Sequence, residues 1–210
     1  MKFFNLLITE FISKWRSYNY INNISLYSFL TTFIFYITLD DLNQNIIHNL
    51  LLINIITNVI NMINYSNLTS QNYSIYLYSL THVNNIFLVK SILNMVLILL
   101  YFIINFFMYY LFFNLRISNI IIYSIIVIIS SMIFSSIFTI VSEISSKVNN
   151  HNYILSYMIG LPLVIPILLI TTELLNKNNE IDYILIFILL LINLIVFITS
   201  LLIFPYLYKE

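Results

Sequence analysis

"IFLVKSILNMVLILLYFIINFFMYYLFF", Ile86 to Phe113, decides the fold class of this chain. Its only charge is Lys90, near the start. The rest is aliphatic and aromatic apart from Ser91, Asn94 and Asn105. A helix needs about 20 apolar residues to cross the hydrocarbon of a bilayer. This run is longer than that, so it is expected to tilt, bend or protrude. Outward from it in both directions the same pattern recurs. The chain reads as an all-α integral membrane protein with six spans, at 21–39, 46–63, 86–113, 117–141, 153–172 and 181–204.

Composition agrees with that reading. Hydrophobic residues make up 61% of the chain and charged residues 8%, where soluble domains carry roughly 25% charge. So few charges cannot cover a soluble surface, whereas lipid solvates apolar side chains directly. No soluble domain is expected beside the single transmembrane domain, 1–210. The absence of cysteine removes disulfides and thiolate chemistry. A net charge of zero argues against a nucleic-acid surface. There is no Ala and one Gly, while Ile, Leu, Asn, Tyr and Phe abound. These favoured residues have AT-rich codons, which implies an AT-biased genome, such as that of an organelle or a reduced endosymbiont. Each Asn is accordingly given less functional weight.

Lys and Arg in the flanks predict orientation. With six spans, Lys2, Lys14, Arg16, Lys90, Lys147 and Lys209 share one side. Arg116 and Lys177 lie on the other, beside Asp40, Asp41, Glu180 and Asp182. Both termini are therefore expected in the cytoplasm. The first apolar stretch is interrupted by Asn5, Thr9 and Glu10 and is followed by no small-residue cleavage site, so no signal peptide is expected. Residues 1–18 read instead as an amphipathic interfacial helix. Phe4, Ile8, Phe11, Ile12 and Trp15 recur at helical spacing, and Glu10 precedes Lys14 by four. Trp15 suits the headgroup level and Arg16 can reach lipid phosphate. The arm is an anchor and topology signal on this reading, with a further role open.

Catalytic chemistry is sparse. Ionisable groups inside spans usually mark function, and here Lys90, Glu143 and Glu173 sit only near span ends. His48, His82 and His151 fall near expected loops, and none pairs at metal-ligand spacing. No phosphate-cradling loop is possible with one glycine. The chain is not expected to be an enzyme, and ATP hydrolysis would need another polypeptide.

Three features remain. "GLPLVIP", from Gly160 to Pro166, removes two helix donors at Pro162 and Pro166. It predicts a kinked or broken helix, either a static packing kink or a hinge lining a path. Ser131, Ser135 and Thr139 repeat every four residues. They form a helix-packing face, or else a polar pathway. Residues 64–85 carry Tyr65, Tyr73, Tyr76 and Tyr78 with Ile75, Leu77 and Leu80. A segment this apolar is expected to rest on lipid or to dock a partner.

"TEFISKWR" (9–16), "YLYSLTHVNNIFLVK" (76–90), "VSEISSKVNNHNYILSYMIGLPLVIPILL" (141–169) and "FPYLYK" (204–209) together resemble the CcmB family. That family comprises the membrane subunits of the haem-exporter-type ABC complex of cytochrome c maturation. Glu10, Trp15 and Arg16 match the family's Glu and Trp-Arg, and Lys90 matches the Lys that closes its cytoplasmic segment. Thr69, Asn72 and His82-Val83 stand where members usually have Glu, Gly and Ser-Pro. The resemblance spans nearly the whole chain. It implies an ABC-2-like permease in a bacterial inner membrane or its organellar counterpart. It implies a CcmA-type ATPase docked on Tyr73, Tyr76, Leu77, Tyr78, Leu80, His82 and Lys90. It also implies CcmC-type and CcmD-type membrane subunits and a second copy of the chain. ATP would be held by the ATPase, and haem handled by the complex with release of the haem-loaded chaperone CcmE. No residue here reads as a convincing haem ligand. The alternative is a non-transporting structural or assembly subunit of a respiratory complex.

Overall fold

The structure, a computed structural model, describes residues 2–16, 18–39, 43, 46–55, 82–114, 120–148, 153–176 and 183–208. Among these the regular structure is helical throughout, with no strand. In chain order the helices are α1 (Lys2–Arg16), α2 (Tyr18–Thr38), α3 (Ile46–Ile55), α4 (Val83–Phe113), α5 (Ile120–Val148), α6 (Tyr153–Asn176) and α7 (Tyr183–Ile203). A 3-10 turn, Phe204–Tyr208, follows α7.

Four helices, α4 to α7, are long and apolar enough to cross a membrane. The chain is thus a multi-pass membrane protein. The sequence predicts six spans, and the difference lies in the first two. There the described apolar helices, Ser25–Thr38 and Ile46–Ile55, are shorter. The second half of the expected span 46–63 lies outside the described residues, as does the expected loop up to residue 81.

α4 covers the opening stretch and begins three residues before it, at Val83. His82 precedes the helix in extended conformation, and its carbonyl accepts from the Asn85 N–H at 3.0 Å. The far end stops at Asn114, whose φ of 50° places it in the left-handed region. Its N–H donates to the Tyr110 carbonyl at 3.1 Å, closing the last turn. Asn tolerates this conformation better than other side chains, so it ends a helix where apolar periodicity alone would continue.

α5 is the centre of the bundle and packs against α4, α6 and α7. α2 and α1 lie against α4. Backbones can approach α5 because its inner positions are small. Ser130, Ser131, Ser135, Ser136, Thr139, Ser142 and Ser145 are all buried. Hydroxyls in hydrocarbon need partners, and these find them three or four residues back on their own helix. Ser131 donates to the Ile128 carbonyl at 2.7 Å and Ser135 to Met132 at 2.8 Å. With polarity satisfied internally, Ser behaves on this helix as the small residue that Ala and Gly supply elsewhere. α7 is apolar all round, burying Leu189 and Ser200 and leaving Phe187, Leu194, Ile195 and Leu202 exposed.

Candidate functional site

Two rungs join α4 to α5. The Lys90 ammonium pairs with the Glu143 carboxylate, and one turn further along each helix the Asn94 amide donates to the Thr139 hydroxyl at 3.1 Å. As numbering rises by four on α4, it falls by four on α5, so the helices run antiparallel. The ion-paired side chains retain 18% and 9% of their exposure. Shielded from water, opposite charges attract strongly, and either one alone would bear a heavy desolvation cost. Sequence reading notes Lys90 and Glu143 only as separate span-end charges; the fold makes them one unit.

The same end of α4 gathers both ends of the chain. Leu6 of α1 packs with Ile86, Val89 and Leu93, and Leu7 lies against them. Glu10 is turned inward and buried. Phe4, Ile8, Phe11 and Ile12 remain exposed on the outer face. Such an apolar outer face on a helix held flat to the bundle is what a lipid interface would cover. From the other terminus, the Phe204 ring lies tilted against Phe87 at 5.2 Å, and Phe197 lies 6.1 Å from the same ring. Trp15 and Arg16 belong to α1, and their side chains fall outside the described residues.

Tyr73, Tyr76, Leu77, Tyr78 and Leu80 also lie outside the described residues. His82 is the exposed residue preceding α4, two turns before Lys90. Ser131, Ser135 and Thr139 line the buried face of α5, and Thr139 is the one that reaches across to α4. α6 continues as a helix through Pro162 and Pro166, so it is not broken there. Both prolines face outward, while Gly160 is buried near α5. A Cβ at Gly160 would meet Val141 Cγ1 at 3.8 Å, an ordinary contact. Close approach therefore does not demand glycine at this position.

Comparison of the chain with known protein families, curated proteins and solved structures found no match.

At the opposite end of the bundle lies a second polar group, whose members sequence reading leaves unconnected. His48 of α3 is 1% exposed, and its ring sits 6.2 Å from that of Tyr123 on α5. Asn54, one of the α3 asparagines, accepts from the Thr31 hydroxyl at 3.0 Å and lies beside Tyr109 of α4. Tyr101 and Asn105 extend the buried face of α4 from Tyr109 toward its middle. The aromatic rings of Phe29, Phe33 and Tyr36 close α2 around Phe112 at this end. Codon bias enriches Asn everywhere, so the sequence alone gives these asparagines little weight. Their one legible signal is the spacing of Asn94, Tyr101, Asn105 and Tyr109 along a single helix face. No cluster of three or more potential metal ligands occurs among the described residues.

Proposed function

We propose that the chain is a permease-like membrane subunit of an ABC transporter complex acting in cytochrome c maturation. In this reading a partner's ATP hydrolysis is coupled to haem handling or to release of a haem-loaded chaperone. The architecture is ABC-2-like, with six spans, both termini in the cytoplasm and a bacterial inner membrane as its site. The ATPase docks on residues 64–85, and companion membrane subunits and a second copy complete the assembly.

The observation that supports this best is the Lys90–Glu143 pair at the start of α4. The proposed docking segment leads directly into α4, so force applied there arrives first at Lys90. The ion pair and the Asn94–Thr139 bond pass it to α5, the central helix, and α5 contacts α6 and α7. α1 braces the same turns of α4 through Leu6. The chain needs no catalytic group of its own for such work. A partner that binds two arrangements of this helix pair unequally shifts the balance between them.

The test is purification of the tagged full chain from its native host with identification of what accompanies it. A P-loop ATPase is the expected companion. Tyr76→Asp with Leu80→Asp is expected to abolish that association while insertion stays normal. Intact association in the double variant, or companions that are all respiratory subunits, would refute the proposal.

A further inference from the structure

Tyr36, Tyr110 and Tyr183 are 52%, 55% and 73% exposed and belong to three different helices, α2, α4 and α7. Packing sets them at one level. Tyr36 meets the rings of Phe112 and Phe113 at 5.5 and 5.9 Å, so it stands beside the last turn of α4. Tyr110 opens that turn. Tyr183 is placed through α5. Thr139 is level with Asn94, so Met132, seven residues earlier on the antiparallel α5, is level with Tyr101. The Asn193 amide donates to the Met132 sulfur at 3.7 Å, which sets Asn193 at the same level. α7 runs antiparallel to α4, because Phe204 just beyond its end meets Phe87 at the start of α4. Tyr183, ten residues before Asn193, is therefore level with Leu111.

Below this level the outer surface is apolar. Between Asn84 and Tyr110 the exposed residues of α4 are Ile92, Val96, Ile103 and Phe107. On α7 the exposed positions after Tyr183 are all apolar except Thr199, whose hydroxyl donates to the Ile195 carbonyl at 2.9 Å. Above it, α4 ends at the exposed Asn114. A tyrosine at such a boundary keeps its ring in hydrocarbon and its hydroxyl among headgroups. The distance to the other boundary fits as well. Twenty residues separate Lys90 from Tyr110, about 30 Å of helix, and the hydrocarbon core of a bilayer is about 30 Å thick. A membrane with one face at Tyr110 has its other face at the Lys90–Glu143 pair, where α1 packs beside Ile86, Val89 and Leu93.

We propose that Tyr36, Tyr110 and Tyr183 form a belt that docks this end of the bundle into the lipid headgroup layer. Their hydroxyls exchange hydrogen bonds with the ester and phosphate oxygens of the lipid, and their rings cover the top of the acyl chains. α2 packs on α4, whereas α7 packs on α5 and α6. The belt is thus spread around the bundle rather than gathered in one patch, which suits a lipid surface and not a single protein partner. It rests on the chain being a multi-pass membrane protein and not on the proposed transporter role.

Tryptophan fluorescence tests the belt. The chain has one Trp, so a Trp15→Phe background lets Tyr36→Trp, Tyr110→Trp or Tyr183→Trp supply the only indole. Each full-length variant is placed in phosphatidylcholine vesicles whose lipids carry a nitroxide either near the headgroup or near the end of the acyl chain. The shallow nitroxide is expected to quench all three positions at least about twofold more effectively than the deep one. Tyr27→Trp, nine residues before Tyr36 at another exposed position of α2, is the deep control and is expected to show the reverse order. Equal or stronger quenching by the deep nitroxide at any of the three positions would overturn the belt. Protection from both would overturn it too, because a protein chain would then cover the tyrosine. A position that does not accept tryptophan is read with cysteine and a spin label, since the chain has no cysteine of its own. Access to a water-soluble nickel chelate is expected there, and access to oxygen alone would overturn the assignment.

Discussion

Deleting one member of a shielded ion pair leaves the other charge buried without compensation, while deleting both leaves an apolar contact. Lys90→Met is therefore expected to destabilise the protein by about 3–5 kcal/mol. Lys90→Met together with Glu143→Met is expected to recover most of that loss, as read by thermal unfolding in detergent. Asn94→Leu removes a neutral hydrogen bond instead. Interhelical bonds of this kind in membranes contribute about 0.6 kcal/mol on average, so its effect is expected to be several times smaller than that of Lys90→Met in the same assay. The residue types at both rungs are visible in the sequence, but their pairing is not. Lys90 and Glu143 are 53 positions apart, and only the antiparallel packing of α4 on α5 brings them together. Codon bias was a sound reason to distrust asparagine in general. It fails at Asn94, Asn54 and Asn105, which are buried and each make a hydrogen bond.

At the scale of the element, α5 and α6 depart from ideal apolar helices in different ways. α5 uses Ser where close approach is needed, so adding volume there has a steric cost. Ser135→Leu is expected to cost about 1–3 kcal/mol by overpacking. Met132→Leu, three residues earlier at a position 40% exposed, is expected to leave stability unchanged. Comparing the two melting temperatures separates packing from hydrophobicity. In α6 the prolines leave the Met158 and Pro162 carbonyls without their usual intrahelical donors. Pro162→Leu with Pro166→Leu restores those donors and is expected to stiffen and stabilise the helix. If α6 bends during the proposed cycle, the same double variant assembles normally yet lowers cytochrome c maturation in the host. Unchanged maturation would mean that the prolines are static. The motif "GLPLVIP" predicts a kinked or broken helix, and α6 runs through it unbroken. Which way the rings point depends on how α6 is rotated against α5, and that is fixed by Val164 and Ile167 in the core.

At the scale of the molecule, the chain folds back on itself so that α1 and the C-terminal turn meet at one end of α4. Helix α1 and the C-terminal turn consequently lie at one end of the bundle. In the orientation proposed above from charge asymmetry in the flanks, that end faces the cytoplasm. Reporter fusions at the N- and C-termini are expected to be active only there; a C-terminal fusion accessible only from outside would reverse the orientation. His48 shows what a linear reading loses at this scale. It lies near the start of α3, where a histidine would ordinarily meet water or headgroups. It is buried instead, with the ring of Tyr123 on α5 6.2 Å from its own.

The sequence by itself determined the solvent. With 8% charge and long apolar runs, burial against lipid is the only way this chain can satisfy its side chains. It also determined approximate helix extents, because length and apolarity act locally. Only the tertiary structure decided which polar groups meet. Helix rotation and register are set by the packing of many weak contacts, and a shift of one residue turns a side chain by about 100°. That rotation separates a lipid-facing position such as Ile103 from the buried stripe of Tyr101 and Asn105 on either side of it.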